Sequence, residues 1–105
     1  MGILDYKTYQ EVKEKFKWSE VWDLFDGTRD NFNISHECID RHVGKGTAVR
    51  IKFDDGHTEK YSFDEISAKS SQFANALIKL GIEKGDRVAL MLDPSLEFYV
   101  TLLVF

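Results

Sequence analysis

Large apolar side chains return along this chain in three rhythms, and each rhythm predicts a different element. Over residues 5–16, Tyr6, Tyr9, Val12 and Phe16 recur at three- and four-residue steps, which marks one face of an α-helix. Glu11, Lys13, Glu14 and Lys15 fill the other side as a solvated face. WSEVWDLF, residues 18–25, sets Trp18, Val21, Trp22 and Phe25 along a second helical stripe, and Asp26-Gly27-Thr28 opens a polar loop. Seven of the fourteen aromatic residues lie within the first 32 positions. Aromatics among lysines can stack on bases, but the helical spacing assigns these to core packing.

SHECIDRHV, residues 35–43, reads as a short helix capped by Ser35 and closed by Gly44. The rhythm then shortens to two. TAVRIKFDDGHTEKYS holds two alternating runs around Asp55-Gly56, a strong hairpin signal. A two-residue loop sets Lys52 opposite Glu59; a three-residue loop sets Val49 opposite Tyr61. Both registers stay open.

The clearest helix follows. Ser62 and Glu65 have capping-box spacing, Ile66, Phe73, Leu77 and Leu80 form the buried stripe, and Gly81 supplies the left-handed stop. Ser67, Ala68, Ser70, Ser71, Ala74 and Ala76 are small enough for a close neighbour. RVALML is apolar without alternation from Val88 to Leu92, as in a strand covered on both faces. Strand, helix and strand over residues 58–92 therefore predict a parallel crossover in an α/β sheet. Asp93 as N-cap and Pro94 at the first helical position start a last helix, apolar nearly all round through Phe105.

Composition narrows the class. A chain of 105 residues fits at most one full domain. Fourteen Lys and Arg against eighteen Asp and Glu give a net charge of −4, which disfavours nucleic acid and anionic lipid as whole-surface partners. Cys38 is the single cysteine, so no internal disulfide forms and the chain fits a reducing compartment, most simply the cytoplasm. The charged N-terminus lacks the apolar core of a signal peptide, and the final apolar run is half of what a transmembrane segment needs.

Candidate chemistry is sparse. Cys38 and His42 stand four apart, the spacing for a metal pair or a thiolate–imidazolium pair on one helix face. His36 points the other way, and zinc wants three or four ligands, so a half-buried helix is the preferred account. Gly44-Lys45-Gly46-Thr47 lacks the upstream glycine and the hydroxyl after lysine that a phosphate loop requires; it reads as a turn into a strand. His57 at the hairpin tip and Asp86 at a turn show no partner in the sequence. Asp93 and Ser95 follow a predicted parallel strand, where α/β proteins bind ligands, but capping already accounts for Asp93. The chain shows no catalytic, cofactor-binding or metal constellation.

Two stretches together resemble the N-terminal part of the acyl- and aryl-CoA synthetases of the adenylate-forming ligase superfamily. One is Tyr61, Ser62, Phe63, Asp64, Glu65, Ile66, leading through Gly81, Gly85, Asp86, Arg87 and Val88 into the apolar run. The other, NFNISHECIDRHVGKGTAV, is similar to an Asn-x-x-x-Asn-Cys-x-Asp-Arg-His stretch of acetyl-CoA-synthetase-like enzymes, with Glu37 where that pattern carries Asn. The likeness covers about residues 16–105. It implies an AMP-forming ligase of acyl metabolism: a small carboxylic acid attacks ATP with Mg²⁺, and coenzyme A then displaces AMP. The family's phosphate loop, adenine segment, hinge and catalytic lysine match no residue here, and the positions that do match serve as scaffold.

Residues 1–34 are then a helical and loop extension, and residues 35–105 the beginning of a larger parallel-sheet domain. The expected partner of the uncapped apolar end is the remainder of the same polypeptide, and the chain by itself is expected to be inactive. Two rivals stay open: a stand-alone α+β interaction module whose apolar C-terminal segment docks on a partner, and a small metal protein using Cys38 and His42.

Overall fold

The computed structural model of the chain describes residues 2–104. They divide into two compact units, Met1–Asn33 and Ile34–Phe105. In the first unit the long helix expected over residues 5–16 is shorter. A 3-10 turn covers Ile3–Asp5, and helix α1 runs Tyr9–Lys15. Thr8 decides the start: its hydroxyl accepts from the Glu11 N–H at 3.2 Å, while the Glu11 carboxylate accepts from the Lys7 N–H at 3.0 Å. These bonds satisfy donors that the first helical turn leaves open. Residues Trp18–Leu24 wind as 3-10 helix, and Trp22, Phe25 and Phe32 meet edge to face with centroids 5.1–6.0 Å apart. That geometry suits the ring quadrupoles.

The second unit is a mixture of helices and an antiparallel ribbon, α/β in composition and α+β in arrangement. Helix α2, Ile34–Cys38, is followed by a 3-10 turn at Asp40–His42; strands β1, Thr47–Lys52, and β2, Thr58–Ser62, precede helix α3, Phe63–Lys79, and helix α4, Leu96–Leu102. The hairpin takes the three-residue register, with Val49 opposite Tyr61 and Lys52 opposite Thr58. The Phe53 N–H reaches the His57 carbonyl at 2.9 Å, leaving Asp54, Asp55 and Gly56 as the loop. Gly56 sits at φ +92°, a left-handed position that disfavours any side chain. Near Thr47 and Val49 the register shifts by a bulge.

Helix α3 organises this unit. The Ser62 Oγ accepts from the Glu65 N–H, and the Glu65 carboxylate accepts from the Ser62 N–H, closing the expected capping box. At the far end the Ile82 N–H bonds the Leu77 carbonyl and the Gly81 N–H bonds that of Ile78, a Schellman closure with Gly81 at φ +85°. Ile66 is fully buried among Ile39, Val100, Val49, Phe63 and Phe73. Leu80, expected in the buried stripe, is the C-cap and is 78% exposed. Ser70 takes an inward place instead, its hydroxyl donating to the Ile66 carbonyl at 2.8 Å.

Two further expectations are corrected. The last helix begins at Leu96 rather than Pro94, because Ser95, not Asp93, caps it by accepting from the Phe98 N–H. Phe105 lies outside the described residues. RVALML forms no strand: residues 86–93 have no regular structure, so the parallel crossover is absent among the described residues. A strand needs a neighbour for its backbone donors and acceptors, and here β1 and β2 pair with each other alone.

Full burial makes Ile66 the test position. Ile66→Ala should lower unfolding free energy by about 2–5 kcal/mol and Ser62→Ala by about 1 kcal/mol. Leu80→Ala should stay within about 0.5 kcal/mol. Urea unfolding followed by circular dichroism measures all three, and an equal effect of the Ile66 and Leu80 variants would contradict this core.

Candidate functional site

The densest run of polar groups, residues 35–47, folds into a chain of fasteners. Ser35 is not the cap of α2, since the helix already includes Ile34. Glu37 is buried, and Arg41 Nη1, four residues further along the chain, donates to its Oε2 at 2.7 Å. A charge-assisted bond of this kind is what permits a carboxylate so little water. At Ile39 the backbone leaves helical geometry, with φ −125° and ψ −63°, so Cys38 and His42 do not share one continuous helix face. Cys38 is exposed. The His42 ring packs against Phe63 at 5.5 Å, and the Lys45 Nζ lies 3.4 Å from His42 Nδ1.

The same run is pinned to α3 at two points. Ser67 Oγ donates to Asp40 Oδ1 at 2.7 Å, and the Phe63 N–H donates to the Gly46 carbonyl at 3.1 Å. Gly44 and Gly46 both take positive φ, +85° and +101°, which turns the chain from the 3-10 segment into β1. Gly44-Lys45-Gly46-Thr47 is therefore a turn, with the Lys45 N–H already bonded to the His42 carbonyl at 3.0 Å.

The hairpin tip gives His57 partners that the sequence did not reveal. Its backbone N–H donates to Asp55 Oδ1 at 3.0 Å, its Nδ1 meets the same oxygen, and its Nε2 stands 3.7 Å from Glu59 Oε1. The imidazole stacks on Phe53 with centroids 4.2 Å apart. The backbone N–H of His57, and then its ring, hold the Asp55 carboxyl below its ordinary range. On β2 the Tyr61 hydroxyl donates to Glu59 Oε2 at 2.5 Å. That bond first, then burial and the nearby Glu59, Glu97 and Glu65 carboxylates, push the Tyr61 hydroxyl up to about 12. Asp86 is a turn cap: its Oδ2 accepts from the Glu83 N–H at 2.7 Å.

Whether these residues suit a nucleotide, coenzyme A or Mg²⁺ turns on open donors. At the starts of α1, α3 and α4 the side chains of Thr8, Ser62 and Ser95 each accept from one N–H of the group that would greet a phosphate. A recess of about 350 Å³ is walled by Leu77, Ile78, Ile82 and Val104, with Asp86 at its edge. Among the described residues no helix is long and apolar enough to cross a membrane.

In this arrangement the conspicuous polar side chains bond one another and the backbone. The profile of the family described as AMP-binding enzyme matches residues 39–103, and the chain belongs to that family. It is similar to the acetyl-coenzyme A synthetase of Cupriavidus metallidurans, 41% identical over 91 residues, covering 83% of this chain and 13% of that protein. The acetyl-coenzyme A synthetase of Burkholderia lata is 34% identical over 110 residues, 96% of this chain and 16% of the relative. That of Thiobacillus denitrificans is 40% identical over 73 residues, 67% of this chain and 11% of the relative. The chain thus spans less than one-fifth of the length of these relatives. No solved structure matches it.

Asp55 gives the tip a pH dependence. A carboxyl whose folded pKa lies below its unfolded value favours folding while ionised. Its contribution is complete above the unfolded aspartate range, at about 4, and is lost as pH falls through the lower folded value. The His57 amide resonance should therefore move in an acid titration below about pH 4, and Asp55→Asn should abolish that step. A step that survives in Asp55→Asn would assign it to another carboxylate.

Proposed function

We propose that this chain is the opening scaffold of an ATP-dependent, AMP-forming acyl-CoA ligase and is inactive alone. The whole enzyme joins a small carboxylic acid to coenzyme A through an acyl-adenylate, with ATP and Mg²⁺, in the cytoplasm. The observation that carries the reading is the match of residues 39–103 to the AMP-binding enzyme family. The acetyl-coenzyme A synthetases among its relatives favour acetate or a similarly small acid. The fasteners Glu37–Arg41 and Asp40–Ser67, and the capping box, support a positioning role for this stretch. Residues 1–34 are an extension and residues 35–105 the start of the large domain.

One observation favours a second reading as an interaction module. Val88, Leu92 and Met91 are 45%, 46% and 95% exposed, an apolar stretch that suits a docking partner. Sedimentation separates the two: a monomer with a cooperative melt supports the module, and self-association supports a scaffold awaiting its covering.

Acetate-dependent ATP–pyrophosphate exchange tests the first reading. The chain alone should show background exchange only. A chimera carrying this chain in place of the matching segment of the Cupriavidus metallidurans enzyme should keep exchange within about tenfold of its parent, a barrier change near 1.4 kcal/mol. Exchange by the chain alone would overturn the scaffold role, and a folded chimera without exchange would overturn the ligase reading.

A further inference from the structure

The β1–β2 ribbon breaks a local rule on its exposed face. Arg50 stands directly opposite Lys60 in the register, and Lys52 lies two residues along the same face of β1. All three are exposed, while Ile51 between them is buried on the other face. Side chains directly opposite have Cβ atoms about 5 Å apart, and like charges there are destabilising. Among the described residues none of the three makes an ion pair. A cationic cluster in a chain of net charge −4, held where it weakens the hairpin, is the kind of local conflict that marks a functional surface.

We propose that this face docks a separate acidic protein segment whose carboxylates recur two residues apart. Arg50 and Lys52 are about 7 Å apart along the strand, the spacing of alternate side chains on an extended partner. Lys60 then supplies a second cation at the Arg50 level. The strip is short. Asp54 and Asp55 stand in the loop at one end, and Asp64 and Glu65 at the start of α3 at the other. A nucleic acid or an anionic bilayer would meet those carboxylates beyond the three cations, whereas a short acidic segment ends before them. The surface is independent of the ligase reading.

Fluorescence anisotropy of the 105-residue chain with a labelled peptide alternating glutamate and threonine tests this. Saturable binding should weaken about tenfold in Arg50→Glu and in Lys60→Glu, and it should weaken as salt rises from about 50 to about 200 mM. Arg50→Glu also creates an opposite-charge pair with Lys60, so its hairpin amides should exchange with solvent more slowly than those of the unaltered chain. Lys60→Gln, which only neutralises, should show a smaller loss with the hairpin intact. Unchanged peptide affinity in both charge reversals would overturn the proposal. So would tighter binding of single-stranded DNA or of inorganic triphosphate than of the peptide, and so would faster amide exchange in Arg50→Glu.

Discussion

Ile66 is cut off from water because separate stretches of chain close over it: Ile39 after α2, Val49 and Tyr61 from the ribbon, and Val100 from α4. Burying one such side chain contributes roughly 1.5–3 kcal/mol, a modest sum against the entropy of ordering those segments. The contact is supported by the local closure of both ends of α3. Its capping box and Schellman closure satisfy donors and acceptors that would otherwise demand water. With both ends of the helix defined, the inward face of Ile66 and Ser70 is defined too, and the ribbon, the 3-10 turn and α4 each have one place to pack.

That constraint explains where the reactive-looking side chains went. A short unit has little apolar area for aligning its segments, so hydrogen bonds do part of that work. Asp40 is held by Ser67, Glu37 by Arg41, and Asp86 by the Glu83 backbone. Each of these carboxylates accepts a bond at 2.7 Å that fixes its orientation. The run from Ser35 to Thr47 therefore reads as chemistry in sequence and as joinery in space. The match to the AMP-binding enzyme family runs over residues 39–103 and so takes in most of these pieces.

How much of this was legible followed how local each signal was. The capping box at Ser62 and Glu65 and the stop at Gly81 depend on neighbours within one turn, and both stand where the sequence put them. The hairpin was legible, but its register waited on whether Asp54 joined the loop, which the positive φ of Gly56 and the Phe53–His57 bond decide. Two helix starts were misread: Ser95 rather than Asp93 takes the Phe98 N–H, and Thr8, not weighed as a cap, starts α1 later than residue 5. Partners separated in sequence were not legible. Nothing in the spacing joins Asp40 to Ser67, 27 residues away. His57 finds Asp55 and Glu59 only once the hairpin has closed.

The largest divergence, at RVALML, has the most to say about mechanism. Its composition specifies a buried strand as firmly as Ser62 specifies a cap, yet Met91 is 95% exposed and the segment has no regular structure. A cap is satisfied by its own next turn, whereas a strand is a statement about a neighbour. Within these residues the strands that could serve are β1 and β2, and each has spent one edge on the other. Local preference and tertiary setting thus disagree at this segment while they agree at α3. Such a conflict is removed by adding packing, not by changing the sequence. Under the proposed ligase reading, the sheet of the larger domain is the element whose edge and faces would supply it.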